Sequence, residues 1–298
     1  MRRLPGPVLI VLAAVLWGTT GTTQELAPDA ASPLTIGALR LLVAAFVLVA
    51  IAAATGQFRR VHNLRRPATL LAALGVAAYQ PFFFLAVDRT GVVMGTIVAI
   101  GSAPVFGGLL AWAFDRVPPS RLWTTATALA VVGVALLIAA GNELGTNRDG
   151  IAFAVIAGAA YATYVIAARQ LSREGDVIGS TAMVFALAAT LLLPLLATED
   201  LGWVGTAGGS AAVLHLGVLA TAAAYLLFAT GLQTTQSTTA TTLTLGEPVT
   251  AALLGVLVVG ERPPLLGWTG FVLVLIALVA VATEGRSNRF FPSRTAAE

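Results

Sequence analysis

The stretch that decides the reading of this chain is "TTLTLGEPVTAALLGVLVVGER", residues 241–262. It sets an acidic residue, Glu247, directly before Pro248 inside an apolar run long enough to cross a membrane. A carboxylate at the bilayer centre costs about 2.5 to 3.5 kcal/mol on insertion scales, and groups of this kind face protein or a water-filled path. Proline has no N–H to give the carbonyl four residues earlier. The expectation is therefore a helix kinked at Pro248, with the Thr244 carbonyl oxygen left free to face a polar cavity. Ser237, Thr241, Thr244, Glu247 and Thr250 recur every three or four residues, which draws one polar stripe suited to a water-filled path.

The rest of the chain matches that setting. Of its 298 residues 57% are hydrophobic and 10% charged, with a mean hydropathy of +0.88, too apolar for a soluble globular protein. Counting runs of about 20 apolar residues between polar breaks gives ten spans, near 7–26, 34–55, 67–87, 91–114, 120–140, 150–169, 177–197, 210–232, 236–259 and 264–284. The opening "MRRLPGPVLIVLAAVLWGTTG" has the shape of a signal peptide, but with so many spans following it reads as the first, uncleaved helix. All 17 basic residues are Arg. With the N-terminus inside, 13 fall in inner segments and 3 in outer loops, with Arg40 inside a span, so both termini are expected in the cytoplasm. The same scatter of arginines between spans argues for membrane orientation rather than nucleic-acid binding.

The two halves resemble each other. A displacement of 144 residues lays Pro104-Val105 on Pro248-Val249 and Leu109-Leu110 on Leu253-Leu254. One residue more lays Trp123 on Trp268. The expected domains are a first five-helix repeat at 1–141, an external linker at 142–150, a second five-helix repeat at 151–285 and a cytoplasmic tail at 286–298. An odd number of spans per repeat inverts the second repeat in the membrane. Pro104 and Pro248 become matched helix kinks, whereas Glu247 faces only Ala103, so a proton or cation site would be single.

Motifs across the whole chain carry a family resemblance: "LWGTTGT" in span one, "SPLTIGALRLLVAA" in span two, "GSAPVFGGLLAWAF" in span four, "AYATYVIAARQL" in span six and "TLGEPVTAALLGVLVVGERPPLLGWTG" over spans nine and ten. The sequence resembles the ten-span EamA-type branch of the drug/metabolite transporter superfamily. In the first repeat "AWAFDRVPP" departs from the Gly-Glu-Arg ending, with Asp115 and Arg116 in its place. The resemblance implies an all-α polytopic bundle with a central cavity lined by spans one, three, four, six, eight and nine. It also implies movement of small metabolites or amino acids, commonly outward.

On those spans lie Trp17, Tyr79, Gln80, Tyr161, Tyr164 and Tyr225, candidate substrate-binding residues alongside Glu247, Thr244 and Thr241. Arg40, six residues inside span two, has three readings: snorkelling to the interface, pairing with Glu25, or facing the path. The leading function is a secondary transporter in the cytoplasmic membrane that works by alternating access, its partners a small-molecule solute, the lipid bilayer and a coupling proton. An uncoupled facilitator or channel is the alternative. An intramembrane enzyme would need Ser102 and His215 as a nucleophile pair, and no local motif supports one. With no Cys, two His and no nucleotide-binding motif, neither metal nor cofactor is expected, and no feature sets an oligomeric state.

Overall fold

The structure is a computed structural model and describes residues 4–57, 66–115, 120–139, 148–197, 199–254, 257–258 and 265–290. Among these residues every regular element is helical. The order is α1 (Gly6–Gly18), α2 (Thr20–Glu25), α3 (Pro33–Ala54), α4 (Pro67–Asp115), α5 (Arg121–Ala139), α6 (Arg148–Arg173) and α7 (Val177–Leu196). After a 3-10 turn at Gly202–Gly205 come α8 (Ala207–Leu214), a π-helical segment (His215–Ala223) and α9 (Ala224–Leu232). Then follow α10 (Ser237–Leu243), α11 (Gly246–Leu254) and α12 (Leu265–Phe290). The expected linker 142–150 falls mostly outside the described residues, as do the Gly-Glu-Arg segment 260–262 and much of the tail.

Helix starts are written locally. The Ser32 hydroxyl accepts the Thr35 N–H at 3.2 Å to open α3, Asp176 accepts that of Gly179 at 3.1 Å to open α7, and Thr206 accepts that of Gly209 at 3.0 Å to open α8. Six stretches among the described residues are long and apolar enough to cross a bilayer: Gly6–Gln24, Leu34–Ala54, Pro67–Ala86, Arg148–Arg173, Val177–Leu196 and Ala207–Leu232. Shorter apolar stretches lie at Val98–Leu110 and Leu265–Ala277.

Spans three and four, read from the sequence as separate, share the continuous helical assignment of α4. A straight helix rising 1.5 Å per residue would hold Gly75 and Ser102 about 40 Å apart. Both meet α6 within one short segment: a Cβ on Gly75 would stand 2.8 Å from the Ala160 carbonyl oxygen, and one on Gly158 would stand 2.6 Å from that of Ala99. Ala86 and Ala99 share a cluster with Ala154 and Ala157. The chain therefore doubles back between Ala86 and Ala99, and the two arms of α4 run side by side on α6.

The packing partners repeat between halves. Helix α3 packs on α7 and α5 on α12, while α6 lies against both arms of α4 and α1 lies against α9, α10 and α11. Exchanging the halves carries the α3–α7 and α5–α12 pairs onto themselves and the contacts of α6 with α4 onto those of α1 with α9, α10 and α11, as a twofold relation requires. Lipid offers no hydrophobic drive for helices to associate, so close backbone approach carries the packing. Alanine dominates the buried seams, while large apolar side chains such as Phe46 and Leu265 lie on the outside, 76% and 83% exposed.

Candidate functional site

Where α1 ends, Trp17 is buried against the second half of the molecule. Its ring centroid lies 4.8 Å from that of Tyr225, 5.3 Å from Phe228 and 6.3 Å from Tyr161. Tyr161 meets Tyr79 at 5.8 Å and Tyr164 at 6.2 Å, and Tyr164 meets Tyr225 at 5.5 Å. Aromatic pairs in this range contribute about 0.5 to 1.5 kcal/mol each beyond their buried area. Thus Trp17, Tyr79, Tyr161, Tyr164 and Tyr225, from four helices, form one connected ring network. Gln80 is buried beside Tyr79, and neither atom of its amide has a hydrogen-bond partner.

The second half contributes the charge. Helical geometry lapses at Thr244 and Leu245, between α10 and α11, and Glu247 stands in the first turn of α11. The expected free carbonyl is not there: the Glu247 N–H donates to the Thr244 carbonyl oxygen at 2.9 Å. Pro248 removes one donor, and a tightened turn supplies the preceding residue's N–H instead. Pro104 has helical geometry on both sides in the second arm of α4, whereas helical geometry lapses just before Pro248.

The polar stripe is likewise not a single wet face. Thr241 and Thr244 donate their hydroxyls to the carbonyls of Thr238 and Thr241 at 2.9 and 2.8 Å, and Thr250 donates to Gly246 at 3.1 Å. Each thus satisfies its hydroxyl on the backbone of its own segment. Thr241 packs against Gly107 on α4 and Thr250 against Gly18 on α1, so both fill helix seams. Thr244 lies beside Tyr161, and Glu247 is partly accessible.

Arg40 is 8% exposed, with its Nε unpartnered, and it does not snorkel. It and Glu247 act on each other electrostatically, and both act on Tyr79 and Tyr225. Among the described residues no direct ion pair joins them. The Glu25 side chain lies outside the described residues. Ser102 and His215 have separate partners: Ser102 donates to the Ala99 carbonyl at 3.2 Å, and His215 Nε2 lies 2.9 Å from the Thr19 hydroxyl. Among the described residues no group of three His, Asp or Glu could hold a metal.

Sequence reasoning missed two features here. Phe185 on α7 packs 4.6 Å from Tyr225; a lone Phe in an apolar span gives no signal. The nine-residue π segment His215–Ala223, closed by the Thr221 hydroxyl on the Leu216 carbonyl at 2.7 Å, directly precedes Tyr225 and changes the rotation at which that ring leaves the helix. Nothing in its composition sets it apart.

Comparison with known proteins matches residues 4–139 and 148–283, each, to the EamA-like transporter family. The chain is 39% identical over 282 residues to the uncharacterized transporter YwfM of Bacillus subtilis, covering 95% of each protein. It is 24% identical to the uncharacterized inner membrane transporter YicL of Salmonella typhimurium, over 94% of this chain and 96% of that one. It is 29% identical over 295 residues to the threonine/homoserine exporter RhtA of Salmonella typhimurium, covering 95% and 92%. A crystal structure at 19% identity superposes with a TM-score of 0.79, covering 95% of this chain and 98% of the other, which extends the likeness to the fold. Two tandem matches that take in nearly every described helix, and a ring network joining the two halves, make this chain a multi-pass cytoplasmic-membrane member of the EamA-like transporter family.

Proposed function

We propose that the protein is a secondary exporter of small metabolites, amino-acid-like or drug-like, that works by alternating access between two inverted five-span repeats, with both termini in the cytoplasm. The observation that carries this reading is the convergence of Trp17, Tyr79, Tyr161 and Tyr225, from both halves, around Arg40 of the first and Glu247 of the second. A site built across two pseudosymmetric halves is where rocking of one half on the other exchanges access. The exporter named among its relatives favours outward transport.

Polar contacts at the two ends of the bundle fit such rocking. At the end taken as cytoplasmic, Arg66 pairs with Glu174, Arg169 Nε donates to the Thr235 carbonyl at 2.9 Å and Gln233 donates to the Ser172 carbonyl at 3.2 Å. At the opposite end Ser32 and Thr35 both donate to Glu199, at 2.8 and 2.9 Å, and Arg89 lies 3.8 Å from Asp149. Breaking one set while keeping the other is the exchange that alternating access requires.

The test is counterflow in proteoliposomes loaded with a candidate solute. A carrier exchanges labelled for unlabelled solute faster than it equilibrates net, whereas an uncoupled facilitator shows no trans-stimulation. Flux without trans-stimulation would replace the carrier reading with the facilitator one. Proton coupling is tested in the same vesicles by an imposed pH gradient, with Glu247→Gln expected to abolish the gradient-driven component.

A further inference from the structure

Three consecutive residues at the end of α1 each meet a different piece of the second half. Trp17 lies 4.8 Å from the ring of Tyr225, a Cβ on Gly18 would stand 2.8 Å from the Glu247 carbonyl oxygen, and the Thr19 hydroxyl lies 2.9 Å from His215 Nε2. Thr19 is the residue between α1 and α2, and His215 is the first of the π segment. The Thr19 hydroxyl already donates its one proton to the Leu16 carbonyl at 2.7 Å. Toward His215 it is left to accept, so the imidazole donates from Nε2–H.

The first half also holds the π segment two residues further on, where a Cβ on Gly217 would stand 2.5 Å from Val43 Cγ1 of α3. A π turn is rare and takes in one more residue than an α turn, and an uncommon geometry persists only where its surroundings hold it. Relaxation of the segment toward α-helix would turn every residue beyond it about the helix axis, Tyr225 among them. We infer that His215 is a positioning residue of the ring network: its hydrogen bond to Thr19 ties the start of the π segment to the end of α1 and so fixes Trp17 against Tyr225. The inference goes beyond the transporter reading and rests on it only for what the network binds.

Tryptophan fluorescence of the detergent-purified protein tests this with no solute present, so a failure of the transporter reading leaves the measurement intact. Each change is made in the unmodified chain and again in a Trp17→Phe background. The difference isolates the emission of Trp17 from that of Trp203, which shares a cluster with Val213 and Leu216. Thr19→Val and His215→Asn should each shift the Trp17 emission to the red and raise its quenching by acrylamide, because a loosened ring meets more water. The double variant should go no further than either alone, as expected of two partners in one bond. An asparagine amide reaches only the place of Nδ1, whereas a glutamine amide reaches that of Nε2, so His215→Gln and Thr19→Ser should restore the emission of the unmodified protein. Should His215→Asn fail to fold, the emission of His215→Gln decides: unshifted it supports the assignment, shifted it overturns it. Emission unmoved by His215→Asn, moved equally by His215→Gln, or moved as much in the Trp17→Phe background would also overturn it.

Discussion

The backbone of α1 touches that of α11 at Gly18 and Glu247: a Cβ on Gly18 would stand 2.8 Å from the Glu247 carbonyl oxygen and 2.5 Å from Thr250 Cβ. The acidic residue is thus held in place by the residue that follows Trp17. Replacing Gly18 by Val should cost about 1 to 3 kcal/mol through overpacking, read as a fall in melting temperature. Gly21, with nothing near its Cβ position, is the control: Gly21→Ala should leave stability unchanged or raise it by about 0.5 to 1 kcal/mol. Equal losses at the two positions would show that the seam is not tight.

Trp17 links α1 to α6 and α9 through three rings. Trp17→Ala should abolish counterflow, whereas Trp17→Phe, which keeps an aromatic face, should retain part of it. Tyr225→Phe is expected to keep ring packing and fold stability. Full transport by Trp17→Ala at normal expression would detach the ring network from solute binding.

Glu199 accepts hydrogen bonds from Ser32 and Thr35, tying the start of α3 to the segment after α7. A double-mutant cycle of Thr35→Val with Glu199→Gln should give a coupling of about 1 kcal/mol, because one partner is charged and part of the site meets solvent. The Arg66 and Glu174 pair, each 43% exposed, should couple by less than about 1 kcal/mol and more weakly in high salt. Melting curves of single and double variants in one detergent decide both.

The carboxyl-to-amide change at Glu247 separates coupling from binding. Glu247→Gln should remove uptake or efflux driven by a pH gradient while leaving solute exchange under equal pH measurable. The sign follows from the chemistry: a side chain that cannot carry a proton cannot exchange one between the two faces. Gradient-driven flux unchanged in Glu247→Gln would assign coupling elsewhere.

Hydropathy and arginine placement were enough to read an apolar helical bundle and a duplication, because bilayer burial and positive-inside bias act on each segment by itself. The aromatic residues of the network could be named because the family resemblance said which spans meet. The stripe on α10 and α11 misled, since a hydroxyl's periodicity along a helix does not say what faces it. Gly107 and Gly18, on other helices, turned Thr241 and Thr250 into packing residues. The Thr244 carbonyl was expected to be free because its bonding to the Glu247 N–H depends on how the chain turns after Leu243.

By itself the sequence determined the helical class, the internal repeat and the presence of one acidic residue deep in an apolar run. Only the tertiary structure decided that α4 doubles back on α6, that a π segment precedes Tyr225, and that rings from both halves meet in one network. The reason is range. Solvation and hydrogen bonding along one helix are local and visible in the chain, whereas the neighbour of a buried ring is set by helices more than 200 residues apart in sequence, here Trp17 and Tyr225.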